Sequence, residues 1–344
     1  MATTIKDIAK ALGISHSTVS RALTGSKYVN EKTKEAVLKA VKELNYIPNM
    51  SARSLKIDKA YNIGVFFSTI SNGTSPYVFQ TVINSVYRNI DKRYNVIVKG
   101  IDMYEENTIN PKNYDGILVV SQMVNDDKFI REILEREIPV VVINRKVDHD
   151  VINIYTDESI GTYKGIEELI KNGHKEIAII EGAKSFDSTK MRRKGYEDAF
   201  QNYNIQLNKN LILNGDFSVK SGYERAKELL ERKERFSAIF AFNDEMATGA
   251  IKALTEIGLK VPDDISILGF DGNEIGKFIS PSITTIKRPM GDISKIAIDL
   301  LLKLLSDEMD ITAKKIYIES ELEIGDSIKN LANSWFLIEK YKQK

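Results

Sequence analysis

From Asn62 onward the chain alternates short apolar runs with longer amphipathic stretches, and no other feature restricts its fold as much. The runs are IGVFFS, NVIVKG, DGILVV, PVVVIN, AIIEG, AIFAFND and ISILGFD. Runs this short and rich in Val, Ile and Phe suit strands buried on both faces. Between them, Val78 to Arg93, Asp126 to Glu137, Lys190 to Tyr203, Ser218 to Glu234 and Glu245 to Ile257 read as helices, the crossovers that a parallel sheet needs. The rhythm occurs twice, so the expected class is α/β with two doubly wound parallel sheets, one to a lobe. At 344 residues the chain has room for both lobes and a further small domain.

In doubly wound sheets ligands bind beyond the carboxyl ends of the strands. The residues that stand there are polar: Asn144 after VVVI, Asp157 after INIYT, Asn243 and Asp244 after AIFAF, and Asp271 after ISILGF. Amides and carboxylates can bridge neighbouring hydroxyls, which suits a sugar. The same residue types also cap helices. Asp244 is read as a cap, while Asn144, Asn243 and Asp271 stay open between cap and ligand contact.

Charge divides the chain. Residues 1 to 60 hold 11 Lys and Arg against 5 Asp and Glu, whereas the remainder holds 38 against 43. A basic head on a mildly acidic body points to a head that meets a polyanion such as nucleic acid. Within it, Ile5, Ile8, Ala9 and Leu12 form one apolar stripe and Gly13 follows as a turn. Ser15 caps a second helix that turns Val19, Ala22 and Leu23 inward, and a third begins at Asn30. This is a helix-turn-helix unit. Its second helix carries His16, Ser17, Thr18, Ser20 and Arg21 outward, where they can reach base edges and phosphates in a major groove. After Pro48, residues 49 to 55 amount to about two helical turns, too short to persist alone in water.

IKDIAKALGISHSTVSRAL followed by LNYIPNMSARSLK resembles the N-terminus of the lactose and galactose repressor (LacI/GalR) family of bacterial transcription regulators, and the resemblance runs nearly full length. It implies a DNA-binding head at 1–46, a hinge helix at 47–60, and a periplasmic-binding-protein-like core at 61–328. Lobe 1 of that core would comprise about 61–157 and 290–315, lobe 2 about 158–288 and 316–328, with a tail at 329–344. The expected DNA contacts grow to include Thr4, Ser15, Tyr46, Asn49, Ala52, Leu55 and Lys56, with Leu55 as a wedge between minor-groove base steps. On the ligand side the resemblance implies Arg192 in MRRKGY, Phe217 in GDFS as an aromatic face for a pyranose, and Tyr77 after Pro76. It also implies effector-binding roles for Asn144, and for Asn243 and Asp271 in matching FND and GFDG contexts.

The chain departs from the family pattern at three places. IDMYEENTINPKNY, with Pro111 inside, is too short for a full crossover helix and is expected to cross as a loop with a helical turn; shortened crossovers resemble a subset that includes galactoside-responsive regulators. Gly325 stands where relatives usually carry Arg. The tail NLANSWFLIEKYKQK offers the stripe Leu331, Trp335, Ile338 and Tyr341, expected to dock on the second lobe.

Other classes find little support. With no cysteine there are no disulfides or thiolate sites, and no G-x-S-x-G, P-loop, H-E-x-x-H or strand-borne G-x-G-x-x-G occurs. The segment around His149 reads as a polar loop between strands, so neither a catalytic residue nor a metal or other cofactor is expected. MATTIKDIAK lacks a signal peptide's apolar block, which places the protein in the cytoplasm, without a membrane partner. The expected function is a homodimeric repressor of a sugar-utilisation operon, released from a pseudo-palindromic double-stranded operator by a sugar, a galactoside among the candidates. The alternatives are a purine-dependent corepressor system and a sugar-binding protein without DNA readout.

Overall fold

The computed structural model describes residues 3–23, 28–44, 46, 59–71, 73–232, 234–306 and 314–331, and divides into two compact units, Met1–Ala60 and Tyr61–Lys344. In the first unit three helices, α1 (Ile5–Leu12), α2 (His16–Leu23) and α3 (Glu31–Glu43), close around Ile8, Ala9, Val19, Ala22, Val37 and Ala40. Local chemistry sets each helix start. The Asp7 carboxylate accepts from the Thr4 backbone N–H at 2.8 Å, Ser15 Oγ accepts from the Thr18 N–H at 3.0 Å, and Asn30 Oδ1 accepts from the Thr33 N–H at 2.8 Å. Gly13, at φ 63°, supplies the left-handed residue that ends α1.

The second unit holds two six-stranded sheets. The first contains β1 (Asn62–Phe67), β2 (Asn95–Gly100), β3 (Gly116–Ser121), β4 (Val140–Asn144), β5 (Ile152–Tyr155) and, from far along the chain, β11 (Lys315–Tyr317), in the order β11-β5-β4-β3-β1-β2, all parallel. The second contains β6 (Ile177–Glu181), β7 (Ile212–Asn214), β8 (Ala238–Ala241), β9 (Ser266–Asp271), β10 (Thr284–Lys287) and β12 (Glu321–Glu323), ordered β12-β10-β9-β8-β6-β7. Its last strand corrects the all-parallel expectation, because β12 runs antiparallel to β10.

The helices are α4 (Pro76–Asn89), α5 (Asp127–Glu135), α6 (Glu158–Lys171), α7 (Asp187–Asn202), α8 (Val219–Glu231), α9 (Asp244–Glu256), α10 (Ile275–Phe278) and α11 (Met290–Leu305). Val82, Val86, Ile293 and Leu301 from α4 and α11 cover one face of the first sheet, and Phe129 and Ile133 from α5 lie on the other. The chain passes between lobes after β5, after β10 and after β11. The last return follows Tyr317, so β11 extends lobe 1 beyond the 315/316 boundary read from sequence.

The segment 101–114 makes one 3-10 turn, Ile101–Met103, and then runs without helix. Ile109 and Tyr114, at 3% and 6% exposure, cover the sheet face that a crossover helix would otherwise shield. The Gly325 departure also has a packing reason. A Cβ there would come within 2.6 Å of the Ser282 carbonyl oxygen, and the Gly325 N–H donates to Thr284 Oγ1 at 3.0 Å, so a larger residue would push the chain away from β10. Leu331 donates its N–H to the Asn172 carbonyl at 2.8 Å, which lays the start of the tail on lobe 2; Trp335, Ile338 and Tyr341 lie outside the described residues.

Candidate functional site

In the head, His16 and Arg21 on α2 are exposed, and Ser17, Thr18 and Ser20 are partly exposed. The Ser15 hydroxyl lies 2.7 Å from Ser17 Oγ and 2.8 Å from Thr18 Oγ1, so three hydroxyls cluster at the α2 N-terminus. That end carries the positive pole of the helix and unpaired N–H groups, a combination that attracts phosphate oxygens. Tyr46 departs from the expected set: at 8% exposure its ring belongs to the apolar core of the head, where it supports α2 and α3. Asn49, Ala52, Leu55 and Lys56 lie outside the described residues.

In the body, polar side chains at the strand ends converge between the lobes. Arg192, on the second turn of α7, is 2% exposed. It donates from Nε to Glu158 Oε2 at 2.7 Å, from one terminal nitrogen to the Phe242 carbonyl, and from the other to Asp271 Oδ1 at 3.3 Å. Its guanidinium carbon sits 3.7 Å from the Phe270 ring centroid and 5.8 Å from that of Phe217. Arg288, between β10 and α11, donates from Nε to Asp271 Oδ1 at 2.8 Å and from Nη1 to Glu158 Oε1 at 2.9 Å and Asn144 Oδ1 at 2.8 Å. Asn144 belongs to lobe 1, whereas Glu158 and Asp271 belong to lobe 2. One guanidinium therefore joins the lobes through buried, charge-assisted bonds.

Burial acts to lower the Arg288 pKa, yet the Asp271 and Glu158 carboxylates outweigh it and hold the guanidinium above its ordinary value. Burial, followed by the Asp271 charge, raises the Tyr77 phenol, which donates to the Gly272 carbonyl at 3.4 Å across the cleft. The cluster borders a small cavity lined by Ser75, Gln122, Asn144, Arg192, Phe217 and Asp271 among others. A neighbouring crevice continues past Gln122 and Asn144 to Tyr155 and Asp187. Three residues at this cleft have left-handed backbones, Asn144 at φ 83°, Phe217 at 71° and Asp271 at 101°. Such conformations are costly outside glycine and gather where a side chain must be aimed.

Residues 4–49 match the model of bacterial regulatory proteins of the lacI family, and residues 166–328 match that of the periplasmic binding protein-like domain. Over 330 residues the chain is 41% identical to the "Probable HTH-type transcriptional repressor ExuR" of Bacillus subtilis (strain 168), covering 95% of this chain and 99% of that one. The chain belongs to the lacI family of bacterial regulatory proteins. Among solved structures, the Lac repressor dimer bound to operator and the anti-inducer ONPF superposes with a TM-score of 0.80 at 26% identity, covering 96% of this chain and 100% of that one. A LacI family transcriptional regulator from Enterococcus faecium with bound ribose gives 0.70 at 25% identity, over 78% and 99%.

Within this lacI-family body, Asn144, Arg192, Phe217 and Asp271 line one cavity, and Tyr77 reaches its rim through the Gly272 carbonyl. Asn243 stands apart. Its Oδ1 accepts the Met246 N–H at 3.0 Å and its Nδ2 donates to the Phe217 carbonyl at 2.8 Å, so it caps α9 and holds the Phe217 loop. Asp244, read as the cap, instead accepts from Thr285 Oγ1 at 2.7 Å and the Asn273 N–H at 2.6 Å. Arg288, Glu158 and Gln122 were not expected. His149 is also less solvated than its polar segment implies, with Nε2 3.4 Å from Asp127 Oδ1 and its side chain 15% exposed. Among the described residues no group of three or more His, Asp or Glu is arranged to hold a metal, and no helix is long and apolar enough to cross a membrane.

Proposed function

We propose that this protein is a homodimeric, operator-binding transcriptional repressor whose DNA affinity is set by a small sugar held between the lobes. The observation that carries the reading is the Arg192–Asp271–Arg288–Asn144 cluster, which joins both lobes through the very groups suited to bridging sugar hydroxyls. The Phe217 ring offers an apolar face on the same cavity. The ribose held by the Enterococcus faecium regulator supports the ligand class, and the operator-bound Lac repressor dimer supports the assembly and the partner. No chemical step is needed, because binding alone performs the function.

The sugar acts by preferring one lobe arrangement. To move the equilibrium from 1:99 to 99:1 it must bind the favoured arrangement about 10⁴-fold more tightly, roughly 5.5 kcal/mol. The lobe shift is coupled across the dimer to operator affinity. Asp271→Asn tests this reading. The amide keeps the shape but loses the charge, so sugar affinity measured by calorimetry over a panel of neutral monosaccharides and galactosides should fall by about 1.5–3 kcal/mol, the contribution of a charged hydrogen bond. Operator affinity should stay within about threefold of the parent. Unchanged sugar affinity, with operator affinity lost, would remove Asp271 from the ligand site.

A further inference from the structure

Glu245 occupies the first turn of α9 in lobe 2 and is 9% exposed. Both of its carboxylate oxygens are buried without a hydrogen bond of ordinary length and angle. The groups that face it come from both lobes. Asp271 on β9 brings a negative charge, and the Ser75 hydroxyl and the Tyr77 backbone approach from the start of α4 in lobe 1. Asp244 adjoins it on its own helix, Arg192 and Arg288 face Asp271 rather than Glu245, and the Tyr77 phenol is held protonated by burial and Asp271. The Ser75 oxygen accepts the Val78 N–H at 3.2 Å as the cap of α4, which leaves its O–H to point at Glu245.

An ionised carboxylate enclosed this way has lost water beside a second carboxylate, and the donors offered by the Ser75 hydroxyl and the Tyr77 and Glu245 backbones offset only part of that cost. A neutral carboxyl avoids both costs. When lobe 1 withdraws, water replaces Ser75 and Tyr77, and the α9 N-terminus then favours the ionised form. We propose that Glu245 is a proton-operated clasp: protonation of its carboxyl favours the lobes-together arrangement, so protons act on the same equilibrium as the sugar. In this arrangement burial, then Asp271, raise the Glu245 pKa from 4.5 to about 7. With the ordinary value restored on opening, the together arrangement is fully favoured below about pH 4.5 and loses that advantage as pH rises through 7. Between pH 8 and pH 6 the ratio of together to apart rises about tenfold.

The consequence for DNA rests on the reading that lobe arrangement governs operator affinity, but the test does not. The chain has no cysteine, so Lys128→Cys on lobe 1 and Lys190→Cys on lobe 2, both at exposed positions, give a clean spin-label pair. The expected result is a distance distribution that shifts toward the shorter population as pH falls from 8 to 6, and in which Glu245→Gln stays short at both values. A distribution independent of pH, or an equal pH response in Glu245→Gln, overturns the clasp. A pH response that is lost in Glu245→Gln while operator affinity ignores pH supports the clasp and contradicts the link from lobes to DNA.

Discussion

Arg192→Ala is expected to lower the stability of the body by about 3–5 kcal/mol, the cost of removing one partner from a buried charge cluster. The side chain satisfies Glu158, Asp271 and the Phe242 carbonyl and stacks on Phe270, all of them buried. Arg288 remains to neutralise both carboxylates, which sets the expectation toward the lower end of that range. For a domain of this size the melting temperature should fall by on the order of 10 °C. Lys194→Ala, two residues on and paired with Asp198 on the surface, should leave it unchanged. Equal melting temperatures for parent and Arg192→Ala would mean that the buried cluster does not stabilise the body. The result bears on function too. Loss of sugar response in Arg192→Ala identifies a ligand contact only if measured well below the variant's melting temperature, whereas Asp271→Asn retains a side chain of the same shape.

Arg21→Ala is expected to weaken operator binding by about 2–6 kcal/mol per dimer, since a two-fold assembly loses the same contact twice and a bidentate contact to a base contributes about 1–3 kcal/mol. Arg21 lies exposed on the last turn of α2, away from Ile8, Val19 and Val37, so the fold of the head should persist. Affinity measured across single-base variants of the selected site distinguishes two roles. If Arg21 reads a guanine, discrimination at one symmetric pair of positions collapses; if it holds a phosphate, binding falls evenly across sequences and the salt slope drops. An unchanged affinity would take Arg21 out of the interface.

The sheets were legible in the sequence because Val- and Ile-rich runs buried on both faces leave little else for those residues to do. The antiparallel β12 was not, since Glu321–Glu323 is three half-exposed residues with no apolar run to mark it. The cleft was partly legible through one rule, that polar residues just beyond strand ends face a ligand. The rule found Asn144 and Asp271. It failed at Asn243-Asp244 because both residue types cap helices equally well, and only the backbone shows that α9 begins one residue after the Asn. It could have found Arg288, which directly follows the strand TTIK, but a Lys-Arg pair before Pro reads as solvated charge. Glu158 was hidden in the same manner, as an ordinary acidic residue in the first turn of a helix. Tyr46 was assigned through the resemblance alone, and its burial in the head is invisible to a linear motif.

The most direct test of the account is selection of bound fragments from random duplex DNA by the purified protein at about 150 mM salt, where nonspecific phosphate binding is already weakened, followed by challenge of the enriched duplex with a sugar panel. The account predicts one enriched pseudo-palindrome with a deformable pyrimidine-purine step at its centre, and at least one sugar that releases it. Enrichment that requires an added purine would replace the sugar-released repressor with a corepressor-dependent one. No enriched sequence under any of these conditions would contradict the central claim, and leave a two-lobed ligand-binding protein whose head does not read bases.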